Sequence, residues 1–317
     1  MPFVDLPSRG LRQYYTINPT YTDDNLDMTF TGPPPPSREQ LDPNKPTLVF
    51  VHAGTSTSHS FIYQFRDPRL ASALNLVAFD ARDLGRTTGP RLDHFQTLEE
   101  RTDDFLAAVD AVLGDTPFAF FGESFMGAHV GVFSAAKRPN QIKALILVSP
   151  AWPADSSGMV NILERDWVPL CAQNKFGNGD GTGRLPQEAI EVVRDYFFNG
   201  STKNIDKQDR FLDQWQWHHG ARAPDMFSVE QLMSWFRRPA PPPEVLQAVR
   251  CPVMLLAGTQ DTEVAPADAL WAWSEALVNA PEKRIERIAG GTHFLATTDP
   301  NLVNRFTLQF LKRYNLA

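Results

Sequence analysis

The chain has 317 residues, 42% of them hydrophobic, enough to bury a large core in one enlarged domain or in a domain with a lid. Its formal net charge of -7 is spread along the sequence, without a basic stripe to neutralise nucleic-acid phosphates or anionic lipid headgroups, so neither nucleic acid nor a membrane surface is expected as a partner. Cys171 and Cys251 are the only cysteines and stand in no metal-ligand spacing, which argues against a disulfide framework, a zinc site or any other metal centre.

Residues 1–13 show no basic run followed by an apolar core, and no stretch reaches the roughly 20 apolar residues that span a bilayer. A soluble, unsecreted, cytoplasmic protein is expected. Prolines crowd 32–36 and mark a boundary loop, because neither a helix nor a central strand absorbs them. Short apolar runs follow at 47–51, 76–79, 118–121 and 144–148, of the kind that fill strands buried on both faces. Between them, 98–113 repeats apolar positions every three or four residues, and 127–137 reads as a helix after a serine. The rhythm breaks over 152–249, which reads as helices at 186–198 and 229–236, a glycine-rich loop at 177–183 and a proline cluster at 239–243. Two further strands are expected at 253–257 and 284–288. Alternating strand and helix predicts an α/β fold with a doubly wound, mainly parallel central sheet. The core would comprise 1–151 and 250–317, with 152–249 inserted as a helical cap over the carboxyl ends of the strands, where open α/β sheets bind ligands.

The sharpest local signal is Phe118-Ala119-Phe120-Phe121-Gly122-Glu123-Ser124-Phe125-Met126-Gly127, an apolar strand running through Gly-x-Ser into a helix. It resembles the nucleophile elbow of α/β-hydrolases, whose tight turn lifts a serine above the sheet and leaves the next amide to stabilise an oxyanion. The family pattern is Gly-x-Ser-x-Gly; here Met126 stands at the second glycine and Gly127 comes one residue later. The resemblance makes Ser124 the nucleophile and Phe125 an oxyanion donor. Upstream, Val51-His52-Ala53-Gly54-Thr55 is similar to the family's strand ending in His-Gly, with Ala53 at the glycine. This implies Gly54 as the second donor, Ala53 and Thr55 as neighbours able to replace it, and His52 as a structural residue. Asp80 and Arg82, in a segment similar to the family's Asp-x-x-Gly-x-Gly-x-Ser turn, are expected to pin that loop.

Downstream, Leu256-Ala257-Gly258-Thr259-Gln260-Asp261 resembles the strand and loop that present the triad acid, with Glu263 as the fallback, and Gly290-Gly291-Thr292-His293-Phe294 resembles the family's Gly-x-x-His-Phe. A serine hydroxyl needs a base, and imidazole suits that task near neutral pH. The order Ser124, Asp261, His293 matches the family arrangement, places the cap after the family's sixth strand and covers nearly the whole expected core. His59, His94, His129 and the adjacent His218 and His219 read as structural.

The resemblance implies acyl-transfer chemistry to water with no cofactor. The insertion is rich in large apolar groups and shows no Arg or Lys cluster placed to grip anions, so a small to medium, largely apolar ester or lactone is the expected substrate. Trp152, Trp167, Trp215 and Phe294 are the candidate pocket residues. The same triad also supports carbon–carbon bond hydrolysis or acyl transfer to alcohols, and the scaffold can persist as a catalytically silent binding protein. Epoxide hydrolases and haloalkane dehalogenases need an aspartate at the elbow, which Ser124 replaces.

Overall fold

A computed structural model describes residues 2–22, 32–154, 164–165, 187–222, 234–235 and 237–317. Among them, the six runs predicted as strands are found, each with at most two residues added at its ends: β3 (Thr47–Val51), β4 (Asn75–Phe79), β5 (Phe118–Glu123), β6 (Ile142–Val148), β7 (Val253–Gly258) and β8 (Lys283–Ile288). All of these pair in parallel. Two strands not anticipated precede them. β1 (Phe3–Leu6) and β2 (Leu11–Ile17) form an antiparallel hairpin whose second strand lies antiparallel to β4. The eight strands make one sheet in the order β1-β2-β4-β3-β5-β6-β7-β8.

Side chains alternate across a strand, so near-continuous apolar runs supply both faces at once. Val49, Val51, Phe120, Leu145 and Leu255 enter one core, while Leu48, Phe50, Phe121, Ile146 and Leu256 enter the other. Helices α3 (Leu98–Leu113) and α4 (Ser124–Lys137) cover the first face. The short helices α1 (Ile62–Phe65) and α2 (Pro68–Ala73), with α9 (Leu295–Thr298) and α10 (Pro300–Arg313), cover the second. α3 has the bounds its periodicity predicts, and it starts in a capping box: the Glu100 amide donates to Thr97 Oγ1 at 3.1 Å while the Thr97 amide donates to Glu100 Oε2 at 2.8 Å.

Between β6 and β7 stand α5 (Gln187–Phe198), at the position predicted, α6 (Ile205–Arg222) and α7 (Pro243–Ala248). Pro243, expected to be loop, instead opens α7, where its missing N–H costs nothing. α8 (Ala267–Ala276) joins β7 to β8. The glycine-rich 177–183 and most of the expected helix 229–236 lie outside the described residues. One boundary is corrected: the helix predicted from Gly127 begins at Ser124 itself. The serine makes the whole reversal out of the strand, so the residues after it are already helical.

Because β4 and β5 lie on opposite sides of β3, the direction in which successive strands are added across the sheet reverses there. The carboxyl ends of β3 and β5 adjoin at that reversal, Val51 beside Gly122, which is where sheets of this kind open a crevice.

Candidate active site

Ser124 takes a left-handed backbone angle, φ +62°, which costs an ordinary L-residue on the order of 1 kcal/mol and persists only where the surroundings impose it. The imposing contact is between glycines. A Cβ on Gly127 would lie 2.6 Å from the Gly122 carbonyl carbon, and one on Gly122 would lie 2.3 Å from the Gly127 oxygen. α4 can therefore start directly against the end of β5. Gly127 performs this close approach one residue later than the family pattern places it, and Met126 is fully buried.

The three residues expected to form a triad converge from the ends of β5, β7 and β8. His293 Nε2 lies 2.8 Å from Ser124 Oγ, and its Nδ1 lies 2.7 Å from Asp261 Oδ2. A carboxylate can only accept, so Nδ1 carries the proton and the Nε2 lone pair faces the serine hydroxyl. The other Asp261 oxygen accepts from the Val264 amide at 3.2 Å and the Ala265 amide at 3.0 Å. His293, Asp261 and Ser124 are all buried, whereas Glu263 is exposed. Chemically, this relay can draw the serine proton onto the imidazole while the carboxylate balances the charge that forms.

After β3, Ala53 to Ser56 form a turn closed by the Ser56 amide on the Ala53 carbonyl at 3.0 Å. Gly54 occupies its centre. A Cβ there would meet the tip of the Phe125 ring at 2.4 Å, so this turn packs directly on the residue after the serine. The Phe125 amide belongs to the first turn of α4, whose N–H groups point out of the helix toward incoming negative charge.

Buried polar residues hold this framework. His52 accepts from the Ala81 amide at 3.0 Å through Nε2, and its Nδ1 lies 2.8 Å from the Ala53 carbonyl. Burial lowers its pKa, which keeps it neutral and structural. Asp80 accepts from the Ser58 amide at 2.8 Å and the Arg86 amide at 2.7 Å, and Arg82 pairs with Asp104 at 2.8 Å in the interior. Both pin loops, as expected. On the far side of Phe125, His129 Nδ1 donates to the Phe125 carbonyl at 2.7 Å and its Nε2 accepts from Arg238 Nε at 3.1 Å. Burial, then the Arg238 charge, push its pKa down to about 3. In that neutral tautomer the Pro153 carbonyl, 2.9 Å from Nε2, is a neighbour rather than a partner.

The sequence profile described as the alpha/beta hydrolase family matches residues 48–306. The chain belongs to the alpha/beta hydrolase family. A non-heme chloroperoxidase of Streptomyces lividans is 25% identical over 243 residues, 77% of this chain and 83% of that protein. Among solved structures, the enol-lactonase of Burkholderia xenovorans LB400 superposes with a TM-score of 0.69 at 17% identity, covering 98% of this chain and 100% of the other. A bacterial membrane phospholipase A gives 0.71 at 19% identity, covering 99% and 86%. At these identities the two structures share the fold.

In this alpha/beta hydrolase the aromatic residues expected to line a pocket are dispersed. Phe294 is fully buried, its ring 4.0 Å from that of Phe211 and 4.8 Å from that of Phe197, so it fills an aromatic core rather than facing open space. Trp215 is buried on α6, and Trp152 is half-buried with its carbonyl accepting from Arg238 at 2.7 Å. Trp167 lies outside the described residues. Trp235, one of the insertion's large apolar groups but not among those four candidates, packs on Phe125 with ring centroids 6.1 Å apart.

Sequence reasoning also missed Glu123. It is fully buried one residue before the serine. The Ala296 amide and the Ser60 hydroxyl approach its carboxyl without closing a well-formed hydrogen bond, and burial pushes its pKa up to about 8. A charged residue inside an apolar strand end was the available signal, since such a group is buried only when paired or neutral. Among the described residues no three His, Cys, Asp or Glu side chains gather as metal ligands, and no helix is long and apolar enough to cross a membrane.

Proposed function

We propose that the chain is a serine hydrolase that cleaves the ester bond of a small to medium, largely apolar ester or lactone through an acyl-enzyme. The observation that carries this is the continuous Ser124–His293–Asp261 relay, with gaps of 2.8 and 2.7 Å, built on a serine at φ +62°. His293 takes the Ser124 proton as Oγ bonds to the substrate carbonyl carbon. The Phe125 and Gly54 amides hold the oxyanion, and the proton passes to the departing alkoxide as its carbon–oxygen bond breaks. Water then adds to the acyl-enzyme, giving its proton to His293, which returns it to Ser124 Oγ as the acid leaves.

Residues 152–249 act in this proposal as a cap on a core of 1–151 and 250–317. Supporting this, Gln214 of α6 donates to Thr57 Oγ1 at 3.0 Å beside the Gly54 turn, and Phe197 of α5 lies against His293. The rings of Phe197, Phe125 and Trp235 around the site favour an apolar acyl or alcohol group. The names borne by the relatives span different chemistries, so we rest the ester or lactone assignment on the site's own groups.

A fluorophosphonate probe tests the proposal. Wild-type protein is expected to label stoichiometrically at Ser124; Ser124→Ala abolishes labelling, and His293→Ala slows it by on the order of 10⁴-fold. A folded wild-type protein that does not label contradicts it.

A further inference from the structure

The turn joining α5 to α6 reaches both loops that carry the partners of Ser124. At the end of α5 the Phe197 carbonyl accepts from the His293 amide at 3.0 Å. The Phe197 ring stacks on the imidazole, with centroids 5.3 Å apart and planes inclined by 24°. Two residues later the Asn199 side-chain amide donates to the Gln260 carbonyl and to the Thr262 hydroxyl, each at 3.0 Å. Those two residues flank Asp261. Further along the turn, Lys203 Nζ bonds the Ala289 carbonyl at 3.1 Å and pairs with Asp299 at 2.5 Å, and Asn204 donates to the Thr298 carbonyl at 2.7 Å. One short segment from between β6 and β7 therefore grips the acid's loop after β7 and the base's loop after β8 together.

We infer that the α5–α6 turn positions the acid–base pair, Asn199 setting the loop of Asp261 and Phe197 setting the plane of His293. This inference rests on the proposed triad chemistry. The Val264 and Ala265 amides fix the Asp261 carboxylate from the downstream side; upstream the Gln260 amide donates to the Gly291 carbonyl at 2.9 Å, and Asn199 ties both neighbours of Asp261 to the α5–α6 turn. The outer torsion of a histidine side chain is intrinsically broad, and a stacked ring confines it. Small displacements of a base from its line of attack cost rate steeply. This part of the insertion is consequently a fixed brace rather than a lid, because lifting it would release both partners of the serine.

Asn199 permits a clean test because it sits in the left-handed region, φ +46°, where glycine is at least as comfortable. A residue serving only the turn would make Asn199→Gly equal to or better than wild type in stability and in rate. Positioning predicts that Asn199→Gly, folded at the assay temperature, labels Ser124 with a fluorophosphonate roughly tenfold more slowly, as expected when the acid and base are no longer held on the line of attack. Asn199→Asp should be slower still, since its carboxylate faces the Gln260 carbonyl. On a p-nitrophenyl ester the loss should fall on kcat, with KM unchanged. Phe197→Leu should also slow Ser124 labelling, with Phe197→Tyr restoring the rate. Wild-type labelling rates in Asn199→Gly and Phe197→Leu overturn the inference and leave the Ser124 assignment intact. Failure of folded wild-type protein to label overturns that assignment and the inference with it.

Discussion

Glu123 and His129 sit on either side of the proposed reaction centre, and both are uncharged at neutral pH for the same reason, burial. Their effects on stability run in opposite directions. Glu123 has its pKa raised from 4.5 to about 8, so it holds a proton that the unfolded chain releases. Its contribution is complete below about pH 4.5 and is lost as pH climbs to about 8. His129 has its pKa lowered from 6.5 to about 3. Its contribution is complete above about pH 6.5 and is lost as pH falls toward 3. The two slopes cancel between about pH 4.5 and 6.5, which predicts a stability plateau there from this pair. Urea unfolding at stepped pH should show the plateau lost in both variants: Glu123→Gln leaves only the His129 slope, with stability rising from about pH 3 to 6.5 and level above, and His129→Asn leaves only the Glu123 slope, level below about pH 4.5 and falling toward pH 8. Unchanged edges in both variants would contradict the assignment of these two groups.

At the scale of elements, the strand-to-helix junction depends on where its glycines fall. Restoring the family spacing with Met126→Gly should harm rather than help. It empties a fully buried side chain and puts glycine inside a helix, a combined cost of roughly 3 kcal/mol or more. Gly127→Ala should cost about 1–3 kcal/mol by forcing α4 off β5. Chemical denaturation measures both, and a neutral Gly127→Ala would mean the 2.6 Å approach relaxes freely. The same junction shows what the sequence carries. The elbow, the Asp261 loop and the His293 bend are legible because each requires particular residue types in consecutive positions. Phe197 and Asn199 are not. Asn199-Gly200 reads locally as a turn, and its partners 61 and 63 residues further along the chain leave no mark beside it. Five of the six parallel strands are legible because burial on two faces makes them largely apolar, whereas β8, four of whose six residues are charged and most only partly buried, shows no such run. β1 and β2 escape that criterion, since Asp5 interrupts the first and Arg12, Gln13 and Thr16 the second.

Across the whole molecule, that first hairpin is a structural partner of the site. Its Gln13 side chain donates to the Asp80 carbonyl, and the Tyr14 amide donates to Thr87 Oγ1 at 3.0 Å, in the loop whose Asp80 holds the Ser58 amide. It also covers the open edge of β4. Removing residues 1–17 should expose that edge and slacken the turn around Gly54, giving aggregation in size-exclusion chromatography and loss of Ser124 labelling. A soluble, monodisperse truncated protein that still labels would show the hairpin to be dispensable. The spacing of the relay has a consequence of another kind, in time. Ser124 precedes His293 by 169 residues, and the acid arrives between them. A chain leaving the ribosome thus carries its serine through most of synthesis with no base to activate it. On the proposed chemistry, a growing or half-finished copy is inert toward the esters around it, and reactivity switches on only when β8 joins the sheet.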